Sequence, residues 1–154
     1  MNMEIQAALD VADETDSFLQ ITDVIYDKEA DFGYDVLSHS EKVVFCIDHL
    51  LREMENGGFV QFIHHEAGAK TDDTLLALEA IKAKETHKLL DRLVDFFSDR
   101  RVPADEDERI ELFDYIESEH ADDIAELDDR FYDAGENLVE MTLRFVAKNL
   151  KDFR

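Results

Sequence analysis

Metal or acid–base chemistry would need histidine and carboxylate side chains at set spacings, and three stretches come near to this. His65-Glu66 begins like a zinc-protease helix, where two histidines four residues apart hold the metal and a glutamate acts as base. Ala69 stands where the second histidine belongs. Glu117-x-x-His120 is a single E-x-x-H. A di-iron helical bundle needs two such pairs and further inward carboxylates. His64 and His65 could act with Glu66, but adjacent side chains on a helix point apart. Cys46 lies in the apolar run Val43-Val44-Phe45-Cys46-Ile47 and reads as a buried, inert thiol. No nucleophile elbow, phosphate loop or dinucleotide fingerprint is present. The chain reads as non-enzymatic and without a cofactor. A metal-dependent enzyme using His64, His65 or Glu117 with His120 is the alternative.

The other chemistry on offer is negative charge in rows. Asp122, Glu126, Asp129 and Asp133 recur at helical spacing, opposite Ile124, Leu127 and Phe131. Asp16, Asp23, Asp27 and Asp31 do the same opposite Phe18, Ile21 and Ile25, with Gln20 as a neutral gap. Asp107, Glu111 and Asp114 form a shorter row. Eleven residues of helix span about 16 Å. Four carboxylates over that length give one charge per about 4 Å, against about 3.4 Å along one strand of duplex DNA. Resembling a duplex would take two rows. The rows also carry a cost, because like charges one turn apart destabilise a helix by about 0.2–0.5 kcal/mol per pair. No base belongs to either four-residue row.

The net charge of −23 on 154 residues is segregated. Residues 1–40 carry −9 and residues 104–140 carry −14, around a centre of −3 and a C-terminal tail of +3. Such a surface suits a basic partner. It disfavours direct binding to nucleic acid, whose phosphates need cations. A hydrophobic content of 45% with eleven Phe argues for a packed core despite the charge. No apolar run approaches the roughly 18 residues of a membrane span. The start, Met1-Asn2-Met3-Glu4, has no basic and apolar leader pattern. A cytoplasmic protein is expected.

The elements holding these rows are helical. One proline and five glycines leave few breaks. Phe18, Ile21, Ile25 and Phe32 share a face, and Gly33 ends that helix. Ser38-x-x-Glu41 is a capping box opening a helix with Val43, Ile47, Leu50 and Met54 on its apolar side. Asn56-Gly57 would end it, and a short segment with Phe59, Phe62 and Ile63 follows. Thr71 would cap a helix bearing Leu75, Leu78 and Ile81, and Leu89, Leu90, Leu93, Phe96 and Phe97 continue the pattern. A break near Ala83-Lys84 is left open. After Pro103, Asp105 to Glu108 supply first-turn acids for a helix burying Leu112, Phe113 and Ile116. A separate helix carries Ile124, Leu127 and Phe131. The last has Leu138, Met141, Phe145 and Val146, with Glu140 and Arg144 paired one turn apart. The expectation is all-α: a single compact domain of about six to eight helices. It comprises an acidic N-terminal helical part, 1–37, and a region over 38–149.

Asn56-Gly57-Gly58-Phe59, with Gln61 and Phe62, is the least generic stretch. Asn-Gly-Gly permits a sharp reversal, Phe59 and Phe62 can plug the core, and Gln61 can satisfy backbone groups. A structural corner is the reading, rather than a ligand site. Together with Gly68 and Leu75…Leu78…Ile81-Lys82-Ala83, this stretch resembles a bacterial all-helical family of DNA-mimic proteins. That family has an N-G-G-F-x-Q-[FY] signature and a later A-L-x-x-I-G-A. The resemblance covers Ser38 to Asn149 and includes Phe131-Tyr132 and Glu136-Asn137-Leu138. Lys82 stands where that pattern has Gly, and His65 where Asn is usual. The resemblance implies a homodimer presenting acidic side chains to the DNA-binding surface of a helix-turn-helix transcription factor. The acidic rows are not part of the signature. The expected function is that of an acidic binding protein occupying the DNA-binding surface of a basic partner. Its alternative is a structural or regulatory helical domain whose charge serves solubility.

Overall fold

The computed structural model describes residues 2–154. Eight helices follow one another with no strand among the described residues. They are α1 (Met3–Leu9), α2 (Glu14–Phe32), α3 (His39–His64), α4 (Glu66–Ala69), α5 (Thr71–Ala80), α6 (Lys84–Asp95), α7 (Glu106–Asp133) and α8 (Leu138–Lys148). The all-α expectation holds, and one hydrophobic core runs through the whole set.

Helix α3 is the hub, packing against α2, α4, α5, α7 and α8. Its start is the expected capping box: Ser38 Oγ accepts from the Glu41 N–H at 3.1 Å, and Glu41 Oε1 accepts from the Ser38 N–H at 2.8 Å. The same glutamate is buried and neutralised by Lys28 of α2 at 2.8 Å. That contact draws α2 onto the hub. Ser40 donates to Asp152 at 2.6 Å, and the Asn2 N–H donates to the Phe153 carbonyl at 2.8 Å. Both chain ends are thereby tied to this corner, with the Phe153 ring buried.

Two local expectations are corrected. Phe32 is 67% exposed, being the last residue of α2. Thr71 is not the cap of α5. Lys70 holds that position, and the Thr71 hydroxyl instead donates to the Gly68 carbonyl at 2.6 Å. Asn56-Gly57 ends the first segment of α3 as expected: Gly58 (φ 76°, ψ −159°) is non-helical, and the helical segment beyond it carries Phe59, Phe62 and Ile63 into the core. The two helical segments expected after Pro103 meet in α7 across a kink at His120 (φ −131°, ψ 28°).

The break left open near Ala83 exists, and Lys82 turns it with φ 66°. A non-glycine residue held there costs about 1–2 kcal/mol. Glycine in the resembled pattern fits this conformation.

Arg109 is the largest fully buried side chain, 1% exposed, and no carboxylate faces it closely. Its guanidinium donates to four carbonyls instead: Ile63 at 2.7 Å, His65 at 2.9 Å, Pro103 at 3.1 Å and Ala104 at 2.9 Å. Ile63 and His65 lie at the C-terminal end of α3, where carbonyls are orphaned and the helix dipole is negative. Burial lowers the Arg109 pKa from its ordinary value. Gly68 makes room for this arrangement, since a Cβ there would lie 2.5 Å from the Ile63 carbonyl and 2.8 Å from Arg109 Nε.

Gly58 is equally constrained. A Cβ on it would lie 2.5 Å from Asp128 Oδ2, and its φ is positive. Gly58→Ala is therefore expected to lower stability by about 2–4 kcal/mol, combining backbone strain with overpacking. Urea denaturation checks it. A loss no larger than that of Gly135→Ala, at a positive-φ glycine in open space, would show that contact with Asp128 adds nothing.

Candidate partner-binding face

Helix α7 carries two opposed rows. Arg109, Phe113 and Ile116 are buried on the first segment and Ile124 and Leu127 on the second, at three- and four-residue steps within each. Asp107, Glu111, Asp114 and Asp122 each precede a buried residue by two positions, about 200° around the helix. Glu126 and Asp129 each follow one by two positions, and Asp133 continues the row one turn after Asp129. All seven are exposed. The short row and the four-residue row lie on the two segments of α7, before and after the kink at His120, with Ser118 neutral between them.

One carboxylate of the row is neutralised by a base that lies outside it, and a second has a histidine neighbour. Arg130 donates to Glu126 at 2.7 Å. His64 Nε2 lies 3.0 Å from Asp114. Both pairs are solvent-exposed and contribute little to stability. Asp122, Asp129, Asp107, Glu111 and Asp133 form no ion pair among the described residues.

Asp16, Asp23, Asp27 and Asp31 are exposed on α2. Helix α2 packs on α1, α3 and α8, whereas α7 packs on α3, α4 and α6. The two acidic helices share the hub but differ in their other main neighbours.

Beside the α7 row lies the clamp that holds the α3 kink. The break at Gly58 frees the Phe59 N–H, and Asp128 Oδ1 accepts from it at 2.8 Å. One turn later the Tyr132 hydroxyl donates to the Met54 carbonyl, on the other side of the break. A second carboxylate works similarly. Helix α6 has no side-chain cap of its own. Glu136, just beyond α7, accepts from the Thr86 N–H at 2.7 Å, the Thr86 hydroxyl at 2.7 Å and the Glu85 N–H at 3.2 Å. Asn137 then caps α8 through the Glu140 N–H at 3.0 Å.

The corner motif is thereby explained residue by residue. Asn56 and Gly57 are exposed at the approach to the break. Gly58 makes the break, and Phe59 and Phe62 are completely buried beyond it. Gln61 does not satisfy the turn. Its amide reaches the His65 ring, at 3.2 Å and 3.3 Å from the two nitrogens, and its Cβ and Oε1 fill the space a Gly57 side chain would take.

The histidines do not assemble. His64 meets Asp114, while His65 Nδ1 lies 2.8 Å from Glu53. His120 lies over Phe96 and 3.4 Å from Asp123, and Glu117 is not its partner. Among the described residues no three His, Cys, Asp or Glu side chains converge on one metal position. Cys46 is buried, and burial raises its pKa, the state of an unreactive thiol.

Sequence reasoning missed Asp128, Tyr132, Glu136 and Arg109. Arg109 had a signal, a lone cation at an apolar-row position of an acidic helix. Asp128 had none, being one more acid among many.

An all-helical fold with an acidic helix pinned across a kinked hub defines the class of this molecule. The chain belongs to the DMP19-like protein family, which matches residues 35–149. No curated protein and no solved structure matches it. The matched span begins three residues before the capping box and includes the clamp at both ends.

Burial raises the Asp128 pKa, with the Phe59 N–H opposing and the Asp129 charge adding to the rise. A carboxyl whose folded pKa is raised favours folding most below its unfolded pKa. That contribution fades as pH rises to the folded value. Asp128→Asn keeps an acceptor and removes the titration. Wild type should therefore gain stability relative to Asp128→Asn as pH falls from about 7 towards 4. Asp128→Ala should lose about 1–3 kcal/mol at neutral pH by orphaning the Phe59 N–H. Urea midpoints at both pH values check the pair. Parallel pH profiles for wild type and Asp128→Asn would rule out the raised pKa.

Proposed function

We propose that this protein is a non-enzymatic binding protein whose acidic faces occupy the DNA-binding surface of a basic partner, such as a helix-turn-helix transcription factor. The observation carrying this reading is the set of seven exposed carboxylates on α7, four of them on the segment beyond the kink at His120. From Asp122 to Asp133 that row spans about 16 Å at 1.5 Å per residue, a little under half of one turn of duplex DNA at about 34–36 Å. The densest stretch is Asp122, Glu126, Asp129 and Asp133, the contact face of first choice. Asp16, Asp23, Asp27 and Asp31 on α2 come second.

Membership of a DNA-mimic family supports the reading. So does the anchoring of α7, since a row that keeps its spacing presents charge without reorganising on contact. Recognition of this kind acts through electrostatic complementarity and fast, salt-sensitive association. No helix among the described residues is long and apolar enough to cross a membrane. We assign the protein to the cytoplasm, where such factors work, and a homodimer would set the spacing between rows of two copies.

The test is capture of partners from the native cell, followed by competition with duplex DNA. Asp122→Lys, Glu126→Lys and Asp129→Lys are combined in one variant. Recovered partners should be nucleic-acid binders, DNA should displace the protein, and the variant should lose at least about tenfold in affinity. Binding should also weaken steeply with salt. Partners that bind no nucleic acid, with affinity untouched by the triple reversal, would leave solubility as the role of the charge.

A further inference from the structure

Away from the acidic rows, the surface where the α5–α6 turn meets α8 is basic. A groove of about 520 Å³ lies there, lined by Ala80, Ile81, Lys82, Met141, Arg144, Phe145, Lys148 and Asn149. Its apolar floor is Ile81, Met141 and Phe145, and its rim carries three cations. Arg144 is held by Glu140. Lys82 and Lys148 have no carboxylate within ion-pair distance among the described residues. The volume falls within the roughly 300–1,000 Å³ of small-ligand sites. A second groove of about 460 Å³, with Lys82, Lys84 and Lys88 on its edge, lies across the same turn.

Two unneutralised lysines on one apolar groove are unexpected in a chain of net charge −23. Lys82 is also strained. It holds φ 66° on the ridge between the two grooves, in a conformation that glycine adopts freely. Its backbone therefore holds this place at an energetic cost, and such outliers gather at functional sites. Nothing in its own hydrogen bonding requires a lysine, since the turn closes through backbone bonds from Lys82 to Glu79 at 3.0 Å and from Ala83 to Leu78 at 2.9 Å. The nearby N-terminus of α6 does not compete for an anion, because Glu136 already caps it.

We propose that the α5–α8 groove binds an amphiphilic anion: a hydrocarbon chain lying on Ile81, Met141 and Phe145, its single anionic headgroup held between Lys82 and Lys148. The apolar floor supplies affinity for the chain. The two free cations select a carboxylate end over a neutral one.

Decanoate, kept below its micelle-forming concentration, is the probe, with 1-decanol as its uncharged counterpart. Titration calorimetry measures affinity, and backbone amide shifts locate the ligand. Decanoate should bind saturably and at least about fivefold more tightly than decanol, with shifts at Ile81, Lys82, Met141 and Phe145. Lys82→Gly should lower decanoate affinity several-fold while raising the melting temperature by relieving strain. Lys148→Gln should lower affinity and leave decanol binding unchanged. Lys151→Gln, a cation outside the groove, should change neither. Equal affinity for decanoate and decanol overturns the proposal, as do shifts confined elsewhere or a Lys151→Gln loss matching that of Lys148→Gln. Unchanged decanoate binding in Lys82→Gly overturns it too, and its melting temperature shows independently that the variant folds.

Discussion

A single hydrogen bond from the Phe59 N–H to Asp128, reaching across 69 residues of chain, is the constraint on which the rest of the molecule turns. An unkinked α3 would carry Phe59, Phe62 and Ile63 onward along its original axis. The break at Gly58 redirects them into the core, but breaking a helix orphans donors and acceptors that cannot be buried without partners. Asp128 meets the orphaned donor and Tyr132 the orphaned acceptor. Both are on α7, one turn apart, so the kink and the docking of α7 are one event. Gly58 serves both requirements, supplying the positive φ and the space for the carboxylate.

That coupling explains how a helix so rich in like charge holds its shape. Each acidic pair one turn apart costs about 0.2–0.5 kcal/mol. Phe113, Ile116, Ile124 and Leu127 are buried on the opposite side, and each contributes about 1.5–3 kcal/mol on burial. Packing outweighs the repulsion several-fold. Arg109 fixes one end of the helix to the α3 terminus, and Asp128 with Tyr132 fixes the other to the kink. The exposed carboxylates ride on a kinked helix pinned at two points, and their spacing within each segment follows from its buried face.

Much of this was legible from residue pattern alone, because the signals were local. The capping box at Ser38, the glycine stop at Gly33 and the all-helical character depend on residues within a turn or two of one another. Asn56-Gly57 has the chemistry of a helix end and is one, and His120 marks the kink between the two segments of α7. Neither pattern showed that a carboxylate from α7 would meet the Phe59 N–H just beyond the first break. Thr71 has a capping side chain, but the close turn at Gly68 takes its hydroxyl. The acidic rows were visible by spacing, whereas Asp128 was hidden among them: its identity as a cap lies in what it faces.

The placement of the α7 carboxylates sharpens what the charge can imitate. The row bends at His120, and its density is uneven. Four carboxylates crowd the half from Asp122 to Asp133, while Ser118 opens a gap before it. Arg130 then partly cancels Glu126 inside the dense half. A duplex presents two strands, and α2, the other acidic helix, reaches α7 only by way of the hub. The α7 face alone therefore offers no more than one strand's worth of charge. Under the proposed function, α7 and α2 would have to be presented together, or two copies side by side, before the field had the width of a duplex. Partner choice would then rest on the distance between rows, set by the hub packing and by any second copy, more than on the total charge.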